Sequence, residues 1–206
     1  MKKILFFVFV LASILNGSKE YNLKYEIFND GEQIGTLEAL SIKNSEGIFK
    51  YSTRFDVEMS YLFMEFNYLY VEDAYVEGDE VVSLFVYEKE DDDIQKAKAV
   101  KNGDHLVYGD GTKVELSKID YFPFDFIPNI EKKLEQKEFT LKTFDTLSGK
   151  VVIEKNTITK KQDGKYYIET ISLDDSKDEQ KEEKVISKDG IVEYMKNKYF
   201  EARLVN

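Results

Sequence analysis

Phe49-Lys50-Tyr51-Ser52-Thr53-Arg54-Phe55-Asp56-Val57-Glu58-Met59 places apolar or hydroxyl side chains at every odd position and charged or polar ones at every even position. Successive side chains of a strand point to opposite faces, so this alternation predicts one long, half-buried β-strand. The next run, residues 62–76, keeps the two-residue spacing at Met64, Phe66, Tyr68 and Tyr70 and is rich in the aromatic and β-branched types that suit a pleated surface. Working outward, strand segments of the same kind are expected at 23–28, 81–87, 151–159, 166–173, 191–195 and 199–205.

Turn chemistry separates nearly all of these segments. Asn29-Asp30-Gly31, Ser45-Glu46-Gly47, Asn102-Gly103-Asp104, Gly109-Asp110-Gly111, Asp163-Gly164 and Lys188-Asp189-Gly190 supply the positive backbone dihedral that tight hairpins need. Repeated hairpins imply an antiparallel meander. Parallel βαβ units would need amphipathic helices between strands, and only residues 129–137 offer one, with Asn129 as its cap and Ile130 and Leu134 one turn apart. Pro123 and Pro128 fall in an aromatic stretch, 121–128, that reads as an irregular crossing between two halves of a sheet.

The ends and the composition bound the class. Lys2 and Lys3 precede the apolar run 4–15, and Asn16, Gly17 and Ser18 end it, which is the three-part pattern of a removable secretory signal peptide over residues 1–18. A membrane-spanning helix needs roughly 20 apolar residues, more than this run contains. Residues 19–206 are then one β-rich domain, expected in the periplasm or outside the cell. The chain has 29 basic and 40 acidic residues, and losing Lys2 and Lys3 takes its formal charge from −11 to −13. Such a balance repels nucleic-acid phosphates and anionic lipid surfaces. With no cysteine, an exported domain of this kind is held by its core alone, and no lipid can be attached through a cysteine.

Catalytic chemistry is sparse. One histidine, His105, stands between turn signals and reads as a surface residue at the start of a short strand; there is no thiol, no G-x-S-x-G elbow and no glycine-rich phosphate loop. Carboxylate pairs of the glycosidase kind usually come with sugar-stacking aromatics, and tryptophan is absent. The acidic run 88–93 reads as a solvated hairpin tip in preference to a calcium site. In 174–184, Asp174, Ser176 and Asp178 alternate as in a calcium loop, but Glu179 stands where glycine is needed and Val185 where the closing glutamate belongs, so a mobile charged hairpin loop is expected there. No enzyme, metal or cofactor is expected. What remains is an aromatic excess of 14 tyrosines and 15 phenylalanines. In a filled barrel or sandwich these rings pack on one another; in an incompletely closed barrel they line a concave surface able to hold an acyl chain.

Three segments carry a resemblance. Residues 25–36, with Asn29-Asp30-Gly31 followed by Ile34-Gly35-Thr36, the segment Asp145-Thr146-Leu147-Ser148-Gly149-Lys150-Val151, and the closing Asp189-Gly190-Ile191-Val192 are similar to an uncharacterised family of exported bacterial domains whose architecture resembles the lipoprotein-carrier half-barrel. Gly31, Gly149 and Gly190 sit where hairpins reverse, and Gly35, just inside a strand, suits a bulge or close backbone approach. The resemblance implies a strongly curved antiparallel sheet forming an open half-barrel with one short helix. The function expected of it is binding of an apolar ligand, a lipid or acyl chain, against Phe49, Tyr51, Phe55, Met64, Phe66 and Tyr68. The alternative is an acidic interaction or scaffold protein with a filled core, whose charge recruits a basic partner.

Overall fold

The alternating stretch at Phe49 is strand β3 of a single antiparallel sheet that has fourteen strands among the described residues. The computed structural model describes residues 20–61, 64–78, 80–118, 137–160, 162–172, 181–187 and 191–205. Their strands are β1 (Tyr21–Asn29), β2 (Glu32–Lys43), β3 (Phe49–Tyr61), β4 (Met64–Glu77), β5 (Glu80–Glu90), β6 (Asp93–Asn102), β7 (His105–Tyr108), β8 (Lys113–Glu115), β9 (Glu138–Phe144), β10 (Val151–Lys160), β11 (Tyr166–Ser172), β12 (Lys181–Ile186), β13 (Val192–Lys196) and β14 (Glu201–Leu204). One 3-10 turn, Leu116–Lys118, follows β8.

The order in the sheet is β8-β7-β6-β5-β4-β3-β2-β1-β14-β13-β12-β11-β10-β9. Two hairpin meanders therefore run outward from a central seam, where β1 pairs β14 through Tyr25 opposite Leu204 and Ile27 opposite Ala202. Among the described residues no ladder closes the sheet: β8 and β9 are its two edges, and the chain between them joins one edge to the other. Register shifts at Ile27/Phe28, Tyr75/Val76 and Val185/Ile186 mark bulges, each of which bends its strand and adds twist. The expected all-β, curved, open barrel is thus observed. The helix expected at 129–137 lies, apart from Lys137, outside the described residues, as do the signal segment and the proline-containing stretch 121–128.

The turn signals act as their chemistry predicts. Asp30 and Gly31, with φ of 49° and 85°, form the two-residue reversal between β1 and β2. The acidic run 88–93 ends β5, turns at Asp91 and Asp92, and starts β6; the Asp91 amide donates to the Asn67 carbonyl at 2.8 Å, while Asp91 Oδ1 accepts from the Asn67 amide. His105 opens β7, half-buried, with Nδ1 2.6 Å from Asp104 Oδ1. Contrary to expectation, residues 181–184 are not part of a mobile loop but the first four of β12. Glu182 and Lys184 take the buried face of that strand, so its pattern looks solvated although it is not.

Of the two roles expected of Gly35, the close backbone approach is its own, and the bulge falls on its neighbour Ile34. Ile27 pairs with Gly35 and Phe28 with Gln33, leaving Ile34 as the extra bulge residue. A Cβ on Gly35 would lie 2.1 Å from the Asp56 carbonyl oxygen of β3, so the close approach of β2 and β3 depends on its absence.

Candidate functional site

The inner face of β3 and β4 is ordered in rows by the ladder. Val57 stands opposite Tyr68, Phe55 opposite Tyr70, Thr53 opposite Glu72, and Tyr51 opposite Ala74. Of the aromatic set expected to bind, Phe49, Tyr51, Phe55 and Tyr68 are buried and Phe66 is half-buried against the same core; the Met64 side chain lies outside the described residues. The rings fall into two groups. Toward one end Phe49, Tyr51 and Tyr21 associate, with centroids 6.0 and 6.5 Å apart. Toward the other, Phe55 meets Tyr68 edge-on at 5.9 Å and Phe200 at 5.3 Å, and Phe66 stacks on Tyr68 at 6.5 Å. Tyr51, Phe55 and Tyr68 are 1%, 0% and 2% exposed, and burial of the Phe55 ring stabilises the fold by about 1.5–3 kcal/mol. Burial also pushes the Tyr51 phenol up to about 12.

Between the two ring groups the interior is polar. Glu72 continues the inward phase of β4 after Tyr68 and Tyr70, so a carboxylate sits where the alternation calls for an apolar residue. Its Oε2 accepts a short hydrogen bond from the Tyr70 hydroxyl and another from Thr146 Oγ1 at 3.2 Å; the two hydroxyls are 2.8 Å apart. Burial raises the Glu72 pKa to about 8, opposed in part by these bonds and reinforced by Asp145 and Asp73. Tyr70 and Tyr108 are raised too, chiefly by burial and then by the Glu72 charge.

Thr146 arrives from the far half of the sheet, on the β9–β10 turn. Asp145 Oδ1 builds that turn by accepting from the Leu147 and Ser148 amides at 3.0 and 2.7 Å and from Ser148 Oγ at 2.9 Å. Gly149, at φ 71°, then lets the backbone lie against β7 and β8: a Cβ there would come 2.9 Å from the Tyr108 ring, 3.1 Å from Thr112 Cγ2 and 3.1 Å from Val114 Cγ2. The Asp-Thr-x-Ser-Gly segment is therefore the latch that brings the two halves together where no ladder does. Gly149→Ala combines an unfavourable dihedral with this contact, and is expected to lower unfolding free energy by about 1–3 kcal/mol in urea titrations. A change under about 0.5 kcal/mol would mean that the latch contributes nothing to holding the halves together.

A second polar group lines the other half. Glu154 and Asn156 of β10, Thr170 of β11, and Glu182 and Lys184 of β12 are all buried. Thr170 Oγ1 donates to Asn156 Oδ1 at 2.7 Å, and Lys184 Nζ lies 2.5 Å from Glu182 Oε1. Burial raises Glu154 to about 7, with the Lys184 charge opposing and the Glu182 charge adding; Glu182 is raised for the same first reason. Among the described residues no three His, Cys, Asp or Glu side chains come together to hold a metal ion, and no helix is long and apolar enough to cross a membrane.

The sequence points to the rings and not to either polar group. The one signal it holds for them is phase: Glu72, Glu154 and Asn156 each occupy the apolar register of an alternating strand.

The fold defines an open, β-barrel-like, all-β domain. No protein-family model and no curated protein matches the chain. Among solved structures it is similar to a beta-barrel-like protein of a domain of unknown function, DUF1849, from Brucella abortus, with a TM-score of 0.68 and 12% identity over 90% of this chain and 95% of that one. At that identity the likeness is one of fold. It agrees with the expectation of an uncharacterised β-barrel domain.

Proposed function

We propose that this chain is an exported, non-enzymatic binding domain of the periplasm or cell exterior that takes an apolar ligand, an acyl chain or lipid, against Phe49, Tyr51, Phe55, Met64, Phe66 and Tyr68. The observation that carries the reading is the aromatic inner face of a sheet whose edges, β8 and β9, are not joined by a ladder among the described residues. Such a barrel can admit a chain between its halves by parting the β9–β10 latch, and paired rings offer large apolar area at low entropic cost. Near-complete burial of Tyr51, Phe55 and Tyr68 favours a second reading, an acidic interaction protein with a filled core. Native mass spectrometry of the protein purified from its own envelope separates the two. Co-purifying lipid supports the first reading, and consistent absence of any bound mass rejects it.

A further inference from the structure

The outward side chains of the near half are unlike the acidic chain that carries them. On β5 the inward phase is Leu84 and Val86, both buried, which turns Phe85, Tyr87 and Lys89 outward. On β6 Ala97 and Ala99 face the core, so Ile94, Lys96, Lys98 and Val100 face out. Tyr75 stands in the outward phase of β4. Tyr75, Phe85, Ile94 and Val100 are 40%, 41%, 54% and 48% exposed. At the usual strand spacings they mark an apolar patch about 10 Å across the three strands and about 20 Å along them.

The charge in this patch is positive. Lys98 pairs with Phe85 across the β5–β6 ladder, Lys96 with Tyr87, and Lys89 with Ile94. Lys96 Nζ lies 5.3 Å from the Tyr87 ring centroid. Among the outward positions of 69–75, 83–89 and 94–100 the only acid is Asp73, whose carboxylate lies 3.1 Å from Lys50 Nζ of β3. Lys50 takes up that carboxylate, and Lys89, Lys96 and Lys98 leave a local excess of positive charge on a chain whose formal charge is −11.

The mixture of rings and ammonium groups selects the occupant. An added strand is excluded, because β4, β5 and β6 are each laddered on both sides and offer no free backbone. A protein interface gathers its apolar side chains into a dry centre and leaves lysine to the rim. Here each lysine stands directly opposite a ring or Ile94, so closing the face against a protein buries ammonium groups with the apolar ones, at a desolvation cost. At a lipid surface the same mixing is favourable: rings sit at head-group depth, lysine stems lie along them, and the ammonium groups reach the phosphates. The net charge does not prevent this, since at about 0.1 M salt the charges farther than about 10 Å from the bilayer are largely screened.

We propose that the outward face of β4, β5 and β6 is a docking surface for an anionic lipid bilayer, with Lys89, Lys96 and Lys98 on lipid phosphates and Tyr75, Phe85 and Ile94 among the head groups. This face is the side of the sheet opposite the aromatic interior, and its docking does not depend on a ligand bound inside.

Co-sedimentation of the protein purified from its own envelope with phosphatidylcholine vesicles, with and without about one-third phosphatidylglycerol, tests this. Binding to the anionic vesicles is expected to be at least about tenfold tighter, each lysine contributing up to about fivefold, and the preference to fade as salt rises to about 0.5 M. Lys89→Gln, Lys96→Gln and Lys98→Gln combined should abolish the preference. Lys24→Gln, Lys142→Gln and Lys155→Gln combined, the same change of charge at exposed lysines elsewhere, should leave it intact. Phe85→Ser should weaken binding to both kinds of vesicle about three- to tenfold. Equal affinity for the two vesicles, or equal losses in the two triple variants, overturns the lipid surface. Absence of vesicle binding, together with self-association that the Lys89, Lys96 and Lys98 substitutions remove, overturns it as well and assigns the face to the acidic surface of a second copy.

Discussion

Glu72→Gln is expected to remove a large part of the pH dependence of stability between pH 5 and 8, and to leave the variant more stable than the natural chain at pH 8 and above. Burial holds the Glu72 pKa at about 8 against an ordinary 4.5. A group that binds its proton more tightly in the folded chain contributes stability that is complete below pH 4.5 and is lost as pH rises to about 8. A pKa that differs by one between the folded and unfolded chain corresponds to about 1.36 kcal/mol, so the loss across that window is on the order of 5 kcal/mol for this fully buried carboxyl. The glutamine amide keeps the acceptor for Tyr70 and Thr146 and cannot ionise. Glu154, raised to about 7, and Glu182, also raised by burial, act in the same direction and leave a residual slope, to which Glu154 contributes on the order of 3 kcal/mol ending near pH 7. Urea titrations at half-unit pH steps measure both. A natural chain equally stable at pH 5 and pH 8, or a variant with an unchanged slope, would show that Glu72 ionises without cost and that its environment is wet.

Gly35→Ala is expected to destabilise by about 3–5 kcal/mol, enough to prevent folding if the domain has the usual stability of about 5–15 kcal/mol. The added methyl would sit 2.1 Å from the Asp56 carbonyl oxygen, which is backbone and cannot rotate aside. Relief requires β2 and β3 to separate, and that breaks the ladder linking Gly35 to Val57 and Leu37 to Phe55. Gly31→Ala provides the control, because a Cβ on Gly31 meets nothing within 4 Å and only its φ of 85° is strained. If the two substitutions cost the same, by equilibrium unfolding monitored with tyrosine fluorescence, the close approach at Gly35 is not what excludes a side chain there.

Much of the sheet was legible because its inner faces are conventional. In β3, Phe49 through Met59 alternate without exception, and β1, β5, β10 and β11 lie close to the expected segments. β6, β8, β9 and β12 were hidden, and β2 was touched only at Ile34 to Thr36. The inward positions of β6 include Ala97 and Ala99 among lysines, too small a contrast to register as a hydrophobic face. Those of β12 include Glu182 and Lys184, which invert the contrast altogether. The aromatic part of the candidate site was readable from the same alternation, whereas the polar part was not. Whether Glu72 is a solvated carboxylate or a buried one depends on Thr146, seventy-four residues away, folding over it.

By itself, then, the chain determined most of its strands, their hairpin reversals and its antiparallel class, because each is set by neighbours in sequence: side-chain phase or positive φ. Only the tertiary structure decided that β1 and β14 form the central seam, that Asp145 to Gly149 latch the two halves, and that Glu72 is buried opposite Thr53 with Thr146 bonded to it. Those are contacts between segments that alternation cannot relate, and they exist only once a curved sheet brings its two edges together.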